Sequence, residues 1–492
     1  MELTLPPDWL NHHPLLQQVA QILHHQGIEA YLVGGAVRDL LLGREAIVDL
    51  DFAVPGNGLT IARRVADALD AAFYALDPER GVGRVICDGP RKNYLDFAAF
   101  RGSTLEADLA DRDFTVNAIA LSLEDSPAFI DLFDGRRDLA AGQIRAVSDL
   151  ALQNDPVRVL RAVRQATEFN FALEANTQHL LRRAASALKN VSPERQRDEL
   201  LKLLNTPAPD RAVKMLRDLD VLPYFLPEVA AMTGVDQSPP HYLNVFDHTL
   251  AALAAWAQMR RADFAVLPDP LRPAVQSYLQ ELLTGHISRQ ELLPLALLLH
   301  DTGKPLTCSE DNQAKIRFLG HERESAKIAQ QVLHRFRFSA QATTYVRTVV
   351  AQHMRPLLLA QEQSVSRRAV YRFFRDTAVG AGAGVATVLH ALADQQATYP
   401  PSQGQVETQA VLNVVQQLLT AYFERRDQAV DPPPLLTGRD LMTGFGLTEG
   451  RLIGLMLSRL KEAQAIGQVQ TRAEAVAFLR ADPEFAKYSE EN

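Results

Sequence analysis

The sequence predicts an α+β multidomain chain: a mixed α/β head, then an all-helical neck, a second helical domain and a helical tail. Three observations predict it. At 492 residues the chain exceeds what one core supports. Short apolar runs alternate with helical patterns from residue 31 to about 150. From about residue 155 onward nearly everything has helical period.

Residues 1–30 read as helical, with "HPLLQQVAQILHHQG" (13–27) stopping at Gly27. "YLV" (31–33) is a short strand, Gly34-Gly35 a turn, and "AVRDLLLG" a helix with Gly43 behind it. Glycines let backbone approach a ligand, and free N–H groups at a helix start suit an anion. "IVDLDFAV" (47–54) is apolar and β-branched, yet it carries Asp49 and Asp51. Strands alternate faces, so both carboxylates share one side. Such a pair repels unless a cation lies between, and oxygen-only ligation suits Mg²⁺ or Mn²⁺. A phosphate binder beside a metal-binding acid pair points to phosphoryl or nucleotidyl transfer. Further strands are "GRVICD", "YLDFAAF", "NAIALSL" and "AFIDLF", with a helix in "LTIARRVADALD". Asp96, inside "NYLDFAAF", supplies a third catalytic carboxylate if its strand lies beside Asp49 and Asp51.

Beyond the head, "SPERQRDELLKLL" starts with Ser192 as cap and Pro193 in the first turn. Pro-rich breaks occur at 222–242, 398–405 and 429–440. The predicted boundaries are therefore head 1–150, neck 151–230, second domain 231–405 and tail 406–492. The net charge of −8 runs against a nucleic-acid partner. Residues 155–217, however, hold 12 Lys/Arg against 7 Asp/Glu, a candidate RNA stripe. No run of 18 apolar residues and no signal-peptide pattern is visible, and two distant cysteines form no disulfide framework. The expectation is a cytoplasmic protein without a membrane partner.

"GGAVRDLLLG…DLDFAV", "LDFAAFRG", "LEADLADRDFTVNAIA", "FIDLFDGRRDLAAGQIRAV" and "NDPVRVLRAVRQATEFNF" resemble, in order and spacing, the motifs of class II tRNA nucleotidyltransferases and bacterial poly(A) polymerases. The resemblance covers roughly residues 28–230. It implies that Asp49 and Asp51 bind Mg²⁺ and that Gly34, Gly35 and Arg38 meet a triphosphate. Arg112, Asp113 and Asn117 fall in the ribose-reading motif, and Arg161 and Arg164 join the nucleotide-binding set. Asp155 and Arg158 match the base-reading pair; the family's leading glutamate is Asn154 here. Read as helix neighbours three apart, Asp155 accepts from, and Arg158 donates to, a base edge. Cytosine and adenine fit that pattern; uracil and guanine leave groups unpaired. The partners implied are the tRNA 3′ end, CTP and ATP, with poly(A) synthesis as the rival activity.

A second constellation lies downstream. His300-Asp301 closes a strongly apolar helix, a costly burial that a metal would relieve. With His248, His321, His353 and Asp394 it resembles the HD metal-dependent phosphohydrolases over about 240–400. By that resemblance His248, His300, Asp301 and Asp394 hold one divalent metal, and His321 and His353 complete a second site. An alternative makes this domain the enzyme, acting on RNA 2′,3′-cyclic phosphate, with a head that only binds RNA. His12, His13, His241, His334 and His390 read as structural or surface residues. The tail's Gly-rich turns suit a grip on tRNA. In CCA-adding relatives a flexible segment precedes the ribose-reading motif; here "GSTLEADLA" (102–110) leaves little chain for one, so the expected product is CC.

Overall fold

The computed structural model describes residue 5 and residues 9–44, 49–88, 92–123, 127–362, 364–379, 382–400 and 402–485. The chain divides into two compact units, one formed by residues 1–199 and 218–225, the other by 200–217 and 226–492.

The first unit is built on a seven-stranded sheet. Its strands are β1 (Tyr31–Val33), β2 (Asp49–Val54), β3 (Ala72–Asp77), β4 (Val82–Cys87), β5 (Asn93–Ala99), β6 (Ala120–Ser122) and β7 (Phe129–Ile130). The spatial order is β3-β4-β5-β2-β1-β6-β7, and only β2 and β5 run parallel. Helix α1 (Pro14–His25) precedes β1, α2 (Gly35–Leu41) follows it, and α3 (Gly58–Leu69) packs on β4 and β5. One face is apolar: Leu50, Phe52, Val85, Leu95 and Phe97 are buried, and Phe52 stacks on Phe97 with centroids 4.6 Å apart. The alternate residues Asp49 and Asp51 are exposed on the other face, as the two-residue period requires.

Each of the six apolar runs carries a strand: β1, β2, β4, β5, β6 and β7. Residues 45–48, including the start of "IVDLDFAV", lie outside the described residues. β3 was not expected; its exposed edge position gives it no apolar alternation. "NAIALSL" resolves into a tight turn at Thr115–Asn117 and the three-residue β6. Helix α4 (Leu105–Ala110), capped by the Thr104 hydroxyl, fills the short link after β5. In the neck, Arg158–Glu168 and Pro193–Leu204 are helical.

The second unit is mostly helical. Helices Val245–Arg261, Arg289–Leu299, Ala340–Gln352 and Gly384–Thr398 pack on one another, each with a wide buried face. Two hairpins, Leu282–Ser288 and Cys308–Phe318, interrupt the region read as wholly helical. Helices Gly438–Phe445, Arg451–Ala465 and Arg472–Arg480 surround their own core of Leu441, Met456, Leu460 and Leu479.

Candidate functional site

The first unit contains a cleft of about 1490 Å³ lined by Gly34, Arg38, Asp49, Asp51, Arg112, Asp155 and further arginines. Across the sheet Asp51 belongs to one row of paired residues: Arg84 opposite Asp96, Asp96 beside Asp51, Asp51 opposite Val33. The third carboxylate thus lies beside the pair, as its strand predicted. It is already engaged: Arg84 Nε and Nη2 each donate to one Asp96 oxygen at 2.7 Å. At the end of the row the chain turns through Gly34, with φ +74°. A methyl group there would sit 2.8 Å from Arg112 Nη1 and 3.7 Å from Asp51 Oδ2. Glycine therefore lets Arg112 and Asp51 close on the turn. Dense surrounding protein pushes the Asp51 carboxyl pKa up although its tip opens on the cleft. Arg112 opposes that rise, and the charges of Asp96 and Asp49 add to it. A carboxylate raised by its like-charged neighbours is relieved by a cation. Asp49 and Asp51 therefore fit the divalent metal that their pattern implied.

Behind the metal pair runs a polar chain. Arg38 Nη1 donates to Asn117 Oδ1 at 2.7 Å, and Asn117 Nδ2 donates to Asp113 Oδ1 at 2.9 Å and to Gln165 Oε1 at 3.1 Å. Asp113 also accepts from its neighbour's backbone, Phe114 N–H, and from Arg161 Nε at 2.8 Å. Burial opposes its charge, but Arg161 and these hydrogen bonds prevail and hold the carboxyl at about 2. Arg164 is held by Glu199 at 2.8 Å and Glu168 at 3.0 Å. The predicted residues Arg38, Arg112, Asp113, Asn117, Arg161 and Arg164 are thus gathered in one place. Gln165, Glu199 and Arg84 belong with them and were not expected.

Asp155 and Arg158 need correction as helix neighbours. Asp155 is extended (φ −144°, ψ 93°), between helix Ala151–Asn154 and the helix that Arg158 begins. Pro156 disfavours helical backbone in the residue before it. Asp155 pairs with Arg195 at 2.6 Å instead. Arg158 is buried and donates to the carbonyls of Asp111 (2.7 Å), Ala151 (2.9 Å) and Arg112 (3.3 Å). Its guanidinium braces the loop that carries Arg112.

In the second unit all six predicted metal ligands converge. Ligand atoms of His248, His300 and Asp301, of His300, His353 and Asp394, and of Asp301, His321 and His353 lie within 4.8 Å in each group. Each histidine turns Nδ1 to a backbone carbonyl: His248 to Ala397, His300 to Leu297, His321 to Phe318 and His353 to Val350, at 2.7–3.3 Å. Carbonyls only accept, so Nδ1 carries the proton and Nε2 points its lone pair inward. His321 Nε2 and His353 Nε2 face each other at 3.3 Å, and His248 Nε2 faces Asp394 Oδ1 at 2.8 Å. A divalent cation at the centre would satisfy these facing atoms, so the cluster fits a divalent metal. Burial, then the nearby His300 and His321, lower His353 to about 3, which keeps it neutral and ready to ligate.

His241 and His390, read as structural or surface residues, stand in no candidate ligand group among the described residues, yet both pack on the cluster. His390 is fully buried, neither ring nitrogen has a hydrogen-bond partner, and its ring lies 5.0 Å from that of His300. His241 packs edge-on to His248 at 4.9 Å and lines a cavity of about 620 Å³ that opens on the cluster. Lys304, also unexpected, reaches Asp301 at 2.7 Å and Gln237 at 2.7 Å. One helical turn from Asp394 to His390, and from Asp301 to Lys304, was the available signal.

Residues 30–104 and 91–145 match the poly A polymerase head domain, 170–233 a probable RNA and SrmB binding site of polymerase A, and 246–373 the HD domain. An A-adding tRNA nucleotidyltransferase of Deinococcus radiodurans is 34% identical over 460 residues, spanning 92% of this chain and 95% of that one. A CC-adding tRNA nucleotidyltransferase of Thermus thermophilus is 33% identical, spanning 92% and 93%. A CCA-adding enzyme solved with ATP superposes with a TM-score of 0.64 at 23% identity, covering 97% of this chain and 96% of that one. Carboxylates, arginines and histidine cluster thus stand in a chain alike to these relatives from end to end, and the chain belongs to the tRNA nucleotidyltransferase family.

Proposed function

We propose that the head adds CMP from CTP to the tRNA 3′ end and stops at CC. The observation that carries this reading is the link between β5 and Arg112. It is a capped helix, α4, with both flanks tied down. The Arg101 backbone N–H donates to Asp108 Oδ1 at 3.1 Å, Arg101 Nη1 reaches Asp111 Oδ2 at 3.2 Å, and Arg112 clasps Asp108 at 2.8 Å. A segment held this way is a poor lever for reshaping the pocket from CTP to ATP.

Asp49 and Asp51 would hold Mg²⁺, which when bound activates the attacking 3′-hydroxyl and offsets phosphate charge. Arg38 and Arg112 flank the Gly34 turn and bind the triphosphate. Asp155 accepts the exocyclic amino group of the base, and Arg195 is the cation paired with it. No helix among the described residues is long and apolar enough to cross a membrane, and we place the activity in the cytoplasm.

In the second unit, the six-ligand cluster and its adjoining cavity support a metal-dependent phosphohydrolase acting on RNA 2′,3′-cyclic phosphate or related esters. A second reading of the head, addition of the terminal A alone, draws on the Deinococcus relative. Extension of tRNAs ending at the discriminator base, at C and at CC, each with CTP, ATP or both, decides. The CC reading expects two added residues on the first and none on the last; three added residues on the first refute it.

A further inference from the structure

The row of paired residues that holds Asp51 continues to the edge of the sheet. Tyr74 on β3 pairs with Arg84 on β4, which pairs with Asp96, which neighbours Asp51. Paired residues point to one face, so Tyr74, Arg84, Asp96 and Asp51 stand side by side on one face of the sheet, the face whose Asp51 and Leu76 line the cleft. The opposite face is occupied: Gly83 and Phe73 back onto α3, where a Cβ on Gly83 would meet Ala62 at 2.6 Å. On that face Tyr74 is 59% exposed, and Leu76, two residues on, is 42% exposed. Arg84 lies over the Tyr94 ring, 5.0 Å from its centroid.

Nucleotidyl transfer is an in-line displacement, with attacking and leaving oxygens on opposite sides of the phosphorus. The turn at Gly34 and the arginines Arg38 and Arg112 lie on the β1 side of Asp49 and Asp51. If pyrophosphate leaves there, the RNA hydroxyl must arrive from the β5-β4-β3 side. Strands are about 4.8 Å apart, which puts Arg84 about 10 Å and Tyr74 about 14 Å from the Asp51 strand. Those are the distances of a phosphate and a base belonging to a strand whose 3′ end sits at the metal pair. An arginine for the phosphate and an exposed aromatic for a base is the pairing that holds single-stranded nucleic acid.

We infer that β3, β4 and β5 form the seat of the RNA 3′ end. Arg84 binds its last phosphodiester, Tyr74 stacks on one of its bases, and Asp96 positions Arg84 rather than ligating metal. The inference rests on the nucleotidyl-transfer reading. Asp96 suits the positioning role because both its oxygens are taken by the Arg84 fork at 2.7 Å, whereas Asp49 and Asp51 stand open to the cleft. The fork uses Nε and Nη2, so Nη1 is the atom turned to the phosphate.

The test uses the full chain with tRNA ending at the discriminator base, and the variants Arg84→Met, Arg84→Lys, Tyr74→Ala and Asp96→Asn. Steady-state kinetics are read against tRNA and against CTP separately. CTP binding is measured by equilibrium dialysis without tRNA, and Mn²⁺ binding by electron paramagnetic resonance. The expected result is a loss of tenfold or more in kcat/KM for tRNA in Arg84→Met and of about fivefold in Tyr74→Ala. CTP affinity should stay within twofold, and Asp96→Asn should bind as many Mn²⁺ ions as the unaltered chain. Partial recovery in Arg84→Lys supports a phosphate contact. Should Arg84→Met fail to fold, Arg84→Lys and the exposed Tyr74→Ala carry the test. Unchanged tRNA kinetics in both, or a lost Mn²⁺ in Asp96→Asn, overturns the inference. An unaltered chain that extends no tRNA would instead bring down the reading on which it rests.

Discussion

Replacing Asp113 with Asn removes one negative charge and keeps the side-chain shape. Asp113 is 6% exposed and accepts from Phe114 N–H, Asn117 Nδ2 and Arg161 Nε. Its carboxyl lies at about 2, against an ordinary 3.8. That difference corresponds to about 2–3 kcal/mol of stability at neutral pH. The sign follows from the direction: a lowered carboxyl stabilises above its unfolded value and loses that contribution as pH falls through its folded value. The window therefore runs from about pH 4 to pH 2, and about 1 kcal/mol is already lost at pH 3. Asp113→Asn should cost about 2–3 kcal/mol at pH 7, because Arg161 keeps only the more distant Glu199, at 3.8 Å, as an ion-pair partner. Urea unfolding followed by Trp9 fluorescence, in a Trp256→Phe background, reports on the first unit. The gap between variant and parent should narrow as pH falls from 5 to 3. A gap below 0.5 kcal/mol at pH 7, or one that ignores pH over that range, would refute the reasoning.

Three further outcomes are expected. Asp49→Ala or Asp51→Ala should abolish nucleotide incorporation and leave circular dichroism unchanged; incorporation at the parent rate in either would remove the metal assignment. Arg158→Ala should cost about 2 kcal/mol of stability by freeing three carbonyls, while Asp155→Ala should mainly raise UTP and GTP misincorporation; the reverse pattern in melts and in single-nucleotide assays would return base reading to Arg158. Chelation should lower the melting temperature of the second unit, and a divalent metal at a hundred times its Kd should restore about 2.7 kcal/mol; a His321→Ala chain that responds to chelation and metal as the parent does would show that the histidine cluster is not the binding site.

What could be read from the sequence was local. Asp49 and Asp51 were readable because the strand period alone places them on one face, and the glycine turn because only a few residue types tolerate that backbone. Arg84 was hidden: its meaning depends on β4 pairing with β5 twelve residues on, and one chain does not state its pairings. β3 escaped because an edge strand with four of its six residues exposed and none buried shows no alternation of burial. Asp155 and Arg158 were misjoined despite a visible clue, since Pro156 already argued against a helix running through both.

The histidine cluster shows the same division at higher stakes. Its ligands were legible as a set of residue types, yet His390 and His241 were dismissed because a lone histidine on a helix is usually inert. Inertness ends when four helices pack. His390 lies one turn before Asp394, so the helix that delivers the carboxylate also delivers a ring against His300 and His353. Both its nitrogens are buried without partners, an arrangement that costs about 1–3 kcal/mol per group when nothing compensates. The carbonyl tethers that fix the other four histidines are absent at His390. Packing against His300 and His353, rather than a backbone carbonyl, sets its ring.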